Sequence, residues 1–109
     1  MNGKIENLFK KQIEFQNKIV KEDLPADSIE WSSYHILGLV EEVGELLRAD
    51  KRWKTHRNEF YDRENKVIEL ADIFICLMNI AMFSNIGPEQ FFEAVENKIK
   101  ENSKKLKGE

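Results

Sequence analysis

The chain has 109 residues, a formal net charge of −3 and a single cysteine. This length is typical of one domain, and we predict a single domain over residues 1–109. The mild charge and the lack of a long basic tract argue against binding to a nucleic-acid polymer. Because Cys76 is the single cysteine, an intrachain disulfide is excluded, and this favours a reducing, cytoplasmic compartment.

Two segments bear on location and assembly. Residues 5–20 mix apolar and charged side chains and are too polar for a secretory signal. The apolar run 73–83 is too short to cross a bilayer, which takes about 20 residues, so no membrane partner is expected. A domain of this size buries only about 65% of its unfolded surface, and oligomerisation would stabilise it.

The first half of the chain has two segments with apolar residues at helical spacing. Residues 3–22 are predicted to form an amphipathic helix, and Pro25 then breaks the pattern. Asp27 or Ser28 can cap a second helix that runs to about Ala49. The apolar stripe of this second helix comprises Ile36, Leu39, Val40, Val43, Leu46 and Leu47.

The second half predicts two more helices after a charged connection. The third helix begins near Arg63 and continues to Ser84 or Asn85. Pro88 supplies a favourable first position for the fourth helix, which runs to about Lys105. The residues expected to be buried on this fourth helix are Phe91, Phe92, Val95 and Ile99. No strand pattern is present, so the predicted fold is an all-α four-helix bundle.

Two pairs of carboxylates stand out because each pair spans one helical turn. Glu42 and Glu45 lie on the second helix, where Glu42 is expected to be half-buried at the edge of the apolar stripe. Glu69 and Asp72 lie on the third helix, among apolar residues. Four carboxylates that converge in a helical core would repel one another and lose hydration unless hard cations lay among them. The pattern therefore predicts a metal site.

All four candidate ligands are oxygen donors, and neither His35 nor His56 has the spacing of a di-iron motif. Mg²⁺ is therefore the predicted metal, with Mn²⁺ as a substitute, and His35 is expected to be a packing or polar-contact residue. The alternative is structural: the acids pair with Arg or Lys from segment 48–63, or those of the second helix form a solvated face. Gly38 and Gly44 on the same flank are expected to let a ligand or another backbone come close.

Four segments carry a resemblance to a known family. They are LGLVEEVGE at 37–45, ELAD at 69–72, NIA at 79–81 and, more weakly, KIKEN at 98–102. Together they cover about residues 35–105 and resemble the MazG-type all-α nucleoside triphosphate pyrophosphohydrolases. The resemblance implies a Mg²⁺-dependent enzyme that cleaves a (deoxy)nucleoside triphosphate between the α and β phosphates, releasing the monophosphate and pyrophosphate. A dUTPase-like or dCTPase-like enzyme of the same superfamily is one alternative, and a non-catalytic helical dimerisation module is another.

The resemblance also implies roles for the acids. The metal ligands would be Glu42, Glu45, Glu69 and Asp72, and Glu41 would be either an acid that contacts these ligands without binding the metal or a base that orients the attacking water. A polyphosphate brings about four negative charges to these carboxylates, so metal ions must bridge the two.

Basic, amide and aromatic side chains are expected to contact the parts of the substrate that the metals do not bind. The candidates are Trp53, Lys54, Asn79, Lys98, Asn102 and Lys105. Two alternatives stay open: the lysines near the end of the last helix complement its dipole, and Trp53 belongs to a lid that packs on the bundle. The third helix is apolar almost all the way round, so a homodimer or homotetramer is predicted, with helices from two chains enclosing each nucleotide.

Overall fold

A computed structural model of the chain describes residues 3–20, 28–52 and 61–108. These residues form four α-helices and no extended strand. The helices are α1 (Gly3–Val20), α2 (Ile29–Ala49), α3 (Arg63–Phe83) and α4 (Pro88–Leu106). The all-α, four-helix prediction is confirmed. Within the described ranges, no helix combines the length and the apolar character that crossing a bilayer requires.

The helix starts follow the capping signals in the sequence. The Ser28 side chain accepts a hydrogen bond from the Trp31 backbone N–H, and the Asp62 side chain accepts one from Asn65, so these residues cap α2 and α3. Pro88 lies in the first turn of α4, as expected. The predicted end of the first helix, at residue 22, lies outside the described residues.

Helices α2 and α3 form an antiparallel hairpin. At one end, the Ser28 backbone N–H donates to the Phe83 carbonyl over 2.7 Å, and at the other end the Asp62 N–H donates to the Ala49 carbonyl over 2.8 Å. These two bonds fix the register of the helices. The carboxylate half-site of α2 therefore lies level with that of α3.

The core lies where α1 crosses α3 and the start of α4. Phe9, Met78 and Ala81 are buried there, and the partly buried residues around them are Ile5, Phe74, Met82, Ile86, Phe91 and Phe92. The Phe9 ring lies 6.4 Å from that of Phe91 and 6.5 Å from that of Phe92, which is the spacing of favourable aromatic pairs.

The prediction that Val95 and Ile99 are buried is wrong, because both side chains are exposed. Their apolar spacing is helical, but α4 packs only through its first turns and then leaves the core. The radius of gyration is 16.9 Å, whereas a compact domain of this length would have about 13 Å. Many large apolar side chains of the described residues are accordingly exposed.

Candidate metal centre

Three of the predicted acids come together between α2 and α3. Glu42 from α2 and Glu69 and Asp72 from α3 each offer a carboxylate oxygen, and these oxygens all lie within 4.8 Å of one another. The three-residue spacing of Glu69 and Asp72 turns both side chains towards the same partner helix. The antiparallel register then brings Glu42 level with them.

The surroundings of this group are unfavourable for three negative charges. Glu69 is 9% exposed, and its Oε2 atom is buried without a hydrogen-bond partner. Burial, then the negative charge of Asp72 and the contact with Glu69, raise the pKa of Glu42 above its ordinary value. Among the described residues, no Lys or Arg forms an ion pair with any of the three acids. The ion-pair alternative therefore finds no support in the described part of the chain.

The donor set fits a hard divalent cation. Mg²⁺ and Mn²⁺ take carboxylate oxygens as ligands, and a buried oxygen without a partner is a costly group that a cation would satisfy. Glu42, Glu69 and Asp72 supply three such carboxylates from two rigid helices. Among the described residues, these three form a group that could hold the metal.

The other two predicted acids lie outside this group of three. Glu45 forms an ion pair with Arg48, one helical turn further along α2, and Glu41 is exposed. The Glu45 carboxylate, which the sequence pattern predicts as a metal ligand, is therefore paired with the Arg48 guanidinium. The structure thus brings together three of the four predicted ligands.

Two helical turns from the carboxylates, a chain of polar side chains links α1, α3 and α2, with Asn79 and His35 buried and Gln12 half-buried. The Gln12 amide donates to Asn79 Oδ1 over 3.1 Å, and Asn79 Nδ2 lies 3.4 Å from His35 Nδ1. The other ring nitrogen of His35, Nε2, is buried without a partner. Burial lowers the pKa of His35, so the neutral ring is favoured. The prediction that His35 makes packing and polar contacts is confirmed.

An aromatic pocket of about 490 Å³ adjoins His35 between α1 and α2. Its lining residues are Gln16, Ile19, Glu30, Trp31, Tyr34 and His35. The His35 ring stacks on Phe83 with centroids 5.5 Å apart, and Tyr34 meets it edge-on at 5.2 Å. A planar ring could enter beside these aromatic groups.

The comparison with known families decides the class of protein. The family model described as dUTPase matches residues 4–107. The chain belongs to this dUTPase family. Membership places it among hydrolases that act on nucleoside triphosphates. The match supports the superfamily of the MazG-type resemblance without singling out MazG itself. No curated protein and no solved structure matches the chain.

In this dUTPase-family chain, the predicted substrate contacts on α4 are exposed side chains. Lys98 and Lys105 are exposed and pair with Glu101 at 3.7 and 3.4 Å, and Asn102 is exposed as well. Contact of these three side chains with a substrate stays a prediction.

Trp53 and Lys54, two of the predicted substrate contacts, lie outside the described residues. Next to the undescribed residues, Asp50 forms ion pairs that the sequence analysis did not predict. Asp50 accepts hydrogen bonds from Arg52 over 2.8 Å and from Lys66 over 2.9 Å, and these hold its pKa well below the usual range. The Arg52 guanidinium also lies 3.6 Å above the Tyr61 ring.

Two features of the site were missed by reasoning from sequence. The pocket at His35 was one of them, and a signal for it exists: His35 precedes Glu42 by seven residues, and Asn79 follows Asp72 by seven. Seven residues are about two helical turns, so each polar residue shares a helix face with a carboxylate. The second feature is the pairing of Glu45 with Arg48, which the three-residue spacing of opposite charges indicates.

Proposed function

We propose that this protein is a Mg²⁺-dependent dUTP pyrophosphohydrolase. It would hydrolyse the bond between the α and β phosphates, so that dUTP and water yield dUMP and pyrophosphate. Membership in a dUTPase family supports the substrate class. The observation that carries the proposal is the group formed by Glu42, Glu69 and Asp72, in which a buried carboxylate oxygen lacks a partner.

Glu42, Glu69 and Asp72 would hold the metal, and Mn²⁺ would serve as a substitute. The ion, when bound, would neutralise the polyphosphate and make the α-phosphorus more electrophilic. Glu45 lies one turn from Glu42, and it would join the ligands once its side chain leaves Arg48. Arg48 would then be free to pair with a phosphate oxygen.

Glu41 is our proposed group for orienting the attacking water. It is exposed, lies next to Glu42 in the chain and carries a carboxylate that can accept the proton the water loses. No side chain needs to act as a nucleophile, because water attacks phosphorus and pyrophosphate leaves.

The aromatic pocket at His35 is our proposed site for the uracil ring. It lies about 10 Å along the hairpin from the carboxylates, a distance that a nucleotide spans from its phosphates to its base. Trp31 and Tyr34 offer aromatic faces, and His35 Nε2 offers a buried polar atom for the edge of the base. A base that pairs with this atom removes the cost of leaving it unsatisfied.

The test is turnover of dUTP, dCTP, dTTP and UTP in Mg²⁺ and in EDTA, with monophosphate and pyrophosphate both quantified. We expect the highest kcat/KM for dUTP and loss of turnover in EDTA. Glu96→Gln is the matched control, because it removes one carboxylate from the exposed surface of α4. Absence of turnover by folded protein with all four nucleotides, or release of phosphate and dUDP, would contradict the proposal.

A further inference from the structure

Two cationic side chains lie together where α2 ends and α3 begins. Arg52 Nη2 and Lys66 Nζ both donate hydrogen bonds to Asp50 Oδ2, over 2.8 and 2.9 Å. Because the two nitrogens share one oxygen, they lie within about 6 Å of each other. The Tyr61 ring contacts both cations, with its centroid 3.6 Å from Arg52 Cζ and 5.3 Å from Lys66 Nζ. We call Arg52 and Lys66 the cation pair.

The cation pair carries more positive charge than the neighbouring acid neutralises. Asp50 supplies one negative charge against two positive ones, which leaves one positive charge in excess. Within the described ranges, no second acid forms an ion pair with either cation. The hydrogen bonds from Arg52 and Lys66 hold the pKa of Asp50 well below its usual range, so the excess is constant near neutral pH. The cluster therefore attracts anions.

The two cations are more accessible to solvent than the acid that holds them. The side chains of Arg52 and Lys66 are 51 and 31% exposed, whereas that of Asp50 is 17% exposed. A cavity of about 480 Å³ opens beside them, with Leu46 and Leu47 on its apolar side. An ammonium has three N–H donors and a guanidinium has five, so the bonds to Asp50 occupy only some of them. An anion in this cavity would meet preorganised donors.

The cation pair and the aromatic pocket lie on opposite sides of the candidate metal centre along the hairpin. His35 precedes Glu42 by seven residues on α2, whereas Asp50 follows it by eight. At 1.5 Å per residue, these positions are about 10 Å from Glu42 in one direction and about 12 Å in the other. On α3, Lys66 is one helical turn, about 5 Å, from Glu69. The order along the hairpin is therefore aromatic pocket, carboxylates, cation pair.

A nucleoside triphosphate has its parts in the same order. When the uracil ring is in the aromatic pocket and the α-phosphorus is at the carboxylates, the β and γ phosphates extend towards the cation pair. We propose that Arg52 and Lys66 form the binding site for the leaving pyrophosphate. The role of this anion as a leaving group rests on the proposed function, whereas the attraction between the cation pair and a polyphosphate does not.

The cation pair would stabilise the charge that the leaving group gains. When the bond between the α-phosphorus and the bridging oxygen breaks, its electron pair stays on that oxygen, which becomes part of pyrophosphate. The proton of the attacking water goes to the Glu41 carboxylate, as proposed above. Arg52 offers pairs of donors in one plane to phosphate oxygens, and Lys66 offers a point charge. Both contacts strengthen as the negative charge on pyrophosphate grows.

Isothermal titration calorimetry with inorganic pyrophosphate in 10 mM Mg²⁺ tests the proposal without turnover. Lys66→Met keeps most of the apolar stem and removes the charge, so we expect the Kd for pyrophosphate to rise about 10-fold. The Kd for dUMP, which has no β or γ phosphate, should change by less than about 2-fold. Lys104→Met is the matched control, because it removes an exposed lysine on α4, and it should leave both constants unchanged.

Thermal unfolding of Lys66→Met establishes whether the variant is folded, and lysine acetylation of the wild-type chain gives a measurement that needs no variant. Read by mass spectrometry, Lys66 should lose most of its labelling in saturating pyrophosphate and keep it in saturating dUMP. Wild-type protein that does not bind pyrophosphate would overturn the proposal. So would a folded Lys66→Met chain that binds pyrophosphate as tightly as wild type, equal weakening of pyrophosphate and dUMP, or labelling of Lys66 that pyrophosphate does not change.

The same measurements separate this proposal from the proposed function. Turnover of dUTP together with pyrophosphate binding that is independent of Lys66 would overturn the cation pair as the site and leave the proposed function standing. Pyrophosphate binding that depends on Lys66, in a chain that hydrolyses none of the nucleotides, would support the cation pair as a polyphosphate site and contradict only the proposed function.

Discussion

Substitution of Glu42 by Gln tests the electrostatics of the candidate metal centre. The change keeps the size of the side chain and removes one of three negative charges whose oxygens lie within 4.8 Å of one another. At that distance, a pair of unit charges repels by about 1 kcal/mol at the dielectric constant of water and by about 3.5 kcal/mol at an effective value of about 20. Glu42 is half-buried, so solvent screening favours the lower figure.

We therefore expect Glu42→Gln to raise the free energy of unfolding of the metal-free protein by about 1 kcal/mol, or its melting temperature by about 4 °C. The raised pKa of Glu42 fixes the pH dependence. The folded wild-type chain holds this proton more tightly than the unfolded chain, so protonation below the folded pKa stabilises it, down to about the ordinary value of 4.5. The advantage of Glu42→Gln should therefore shrink as the pH falls.

Addition of Mg²⁺ should reverse the order of stability. The wild-type chain gains about 1.4 kcal/mol at a metal concentration ten times the dissociation constant, whereas Glu42→Gln, with a ligand removed, gains much less. Turnover of dUTP should fall by about 100-fold or more.

The assay is thermal unfolding in EDTA and in 10 mM Mg²⁺, at pH 7.5 and pH 5, with Glu96→Gln as the control for loss of a surface carboxylate. A Glu42→Gln chain that is less stable than wild type in EDTA would refute the argument from repulsion. Retention of the full Mg²⁺ effect would refute its role as a ligand.

Three further predictions follow from the described contacts. The wild-type melting temperature should rise with both Mg²⁺ and Mn²⁺ in a titration, and a flat response together with absent activity would favour a purely structural cluster. His35→Phe keeps a ring against Phe83 but removes both Nε2 and the Nδ1 atom that contacts Asn79, so we expect somewhat lower stability with the helices retained. We also expect a rise of about 10-fold in KM for dUTP with a smaller change in kcat, and an unaltered KM would exclude His35 from base binding. Asp50→Asn should lower the stability to urea at pH 7, because the hydrogen bonds from Arg52 and Lys66 stabilise the ionised Asp50 and depress its pKa. This stabilisation of the folded chain is present above the ordinary pKa of 3.8 and is lost as the pH falls through the lower folded pKa. Equal destabilisation at pH 7 and pH 2 would contradict the assigned cause.

The helices could be predicted from sequence because their ends are chemically marked. Ser28, Asp62 and Pro88 each act locally, through a cap or a fixed φ, and need no information about the rest of the fold. The convergence of Glu42 and Asp72 could also be predicted from the sequence, because helical spacing and antiparallel pairing of consecutive helices suffice to bring them level.

The exposure of the second half of α4 and the ion pairs of its lysines could not be predicted from the sequence in the same way. An apolar stripe shows which side of a helix can be buried, but it does not show whether another element lies there to cover it. Val95 and Ile99 have the right spacing and no described neighbour. The same reasoning applies to Val40 and Val43, whose apolar spacing was expected and whose side chains are exposed.

The most direct test of the central claim is where a divalent cation binds. Crystals grown with Mn²⁺ and a non-hydrolysable dUTP analogue, measured at the manganese absorption edge, would locate the ion by its anomalous scattering. We predict a peak about 2.1 Å from carboxylate oxygens of Glu42, Glu69 and Asp72. A peak bound only at other residues, or a fully occupied nucleotide with no peak at these three carboxylates, would contradict the metal centre.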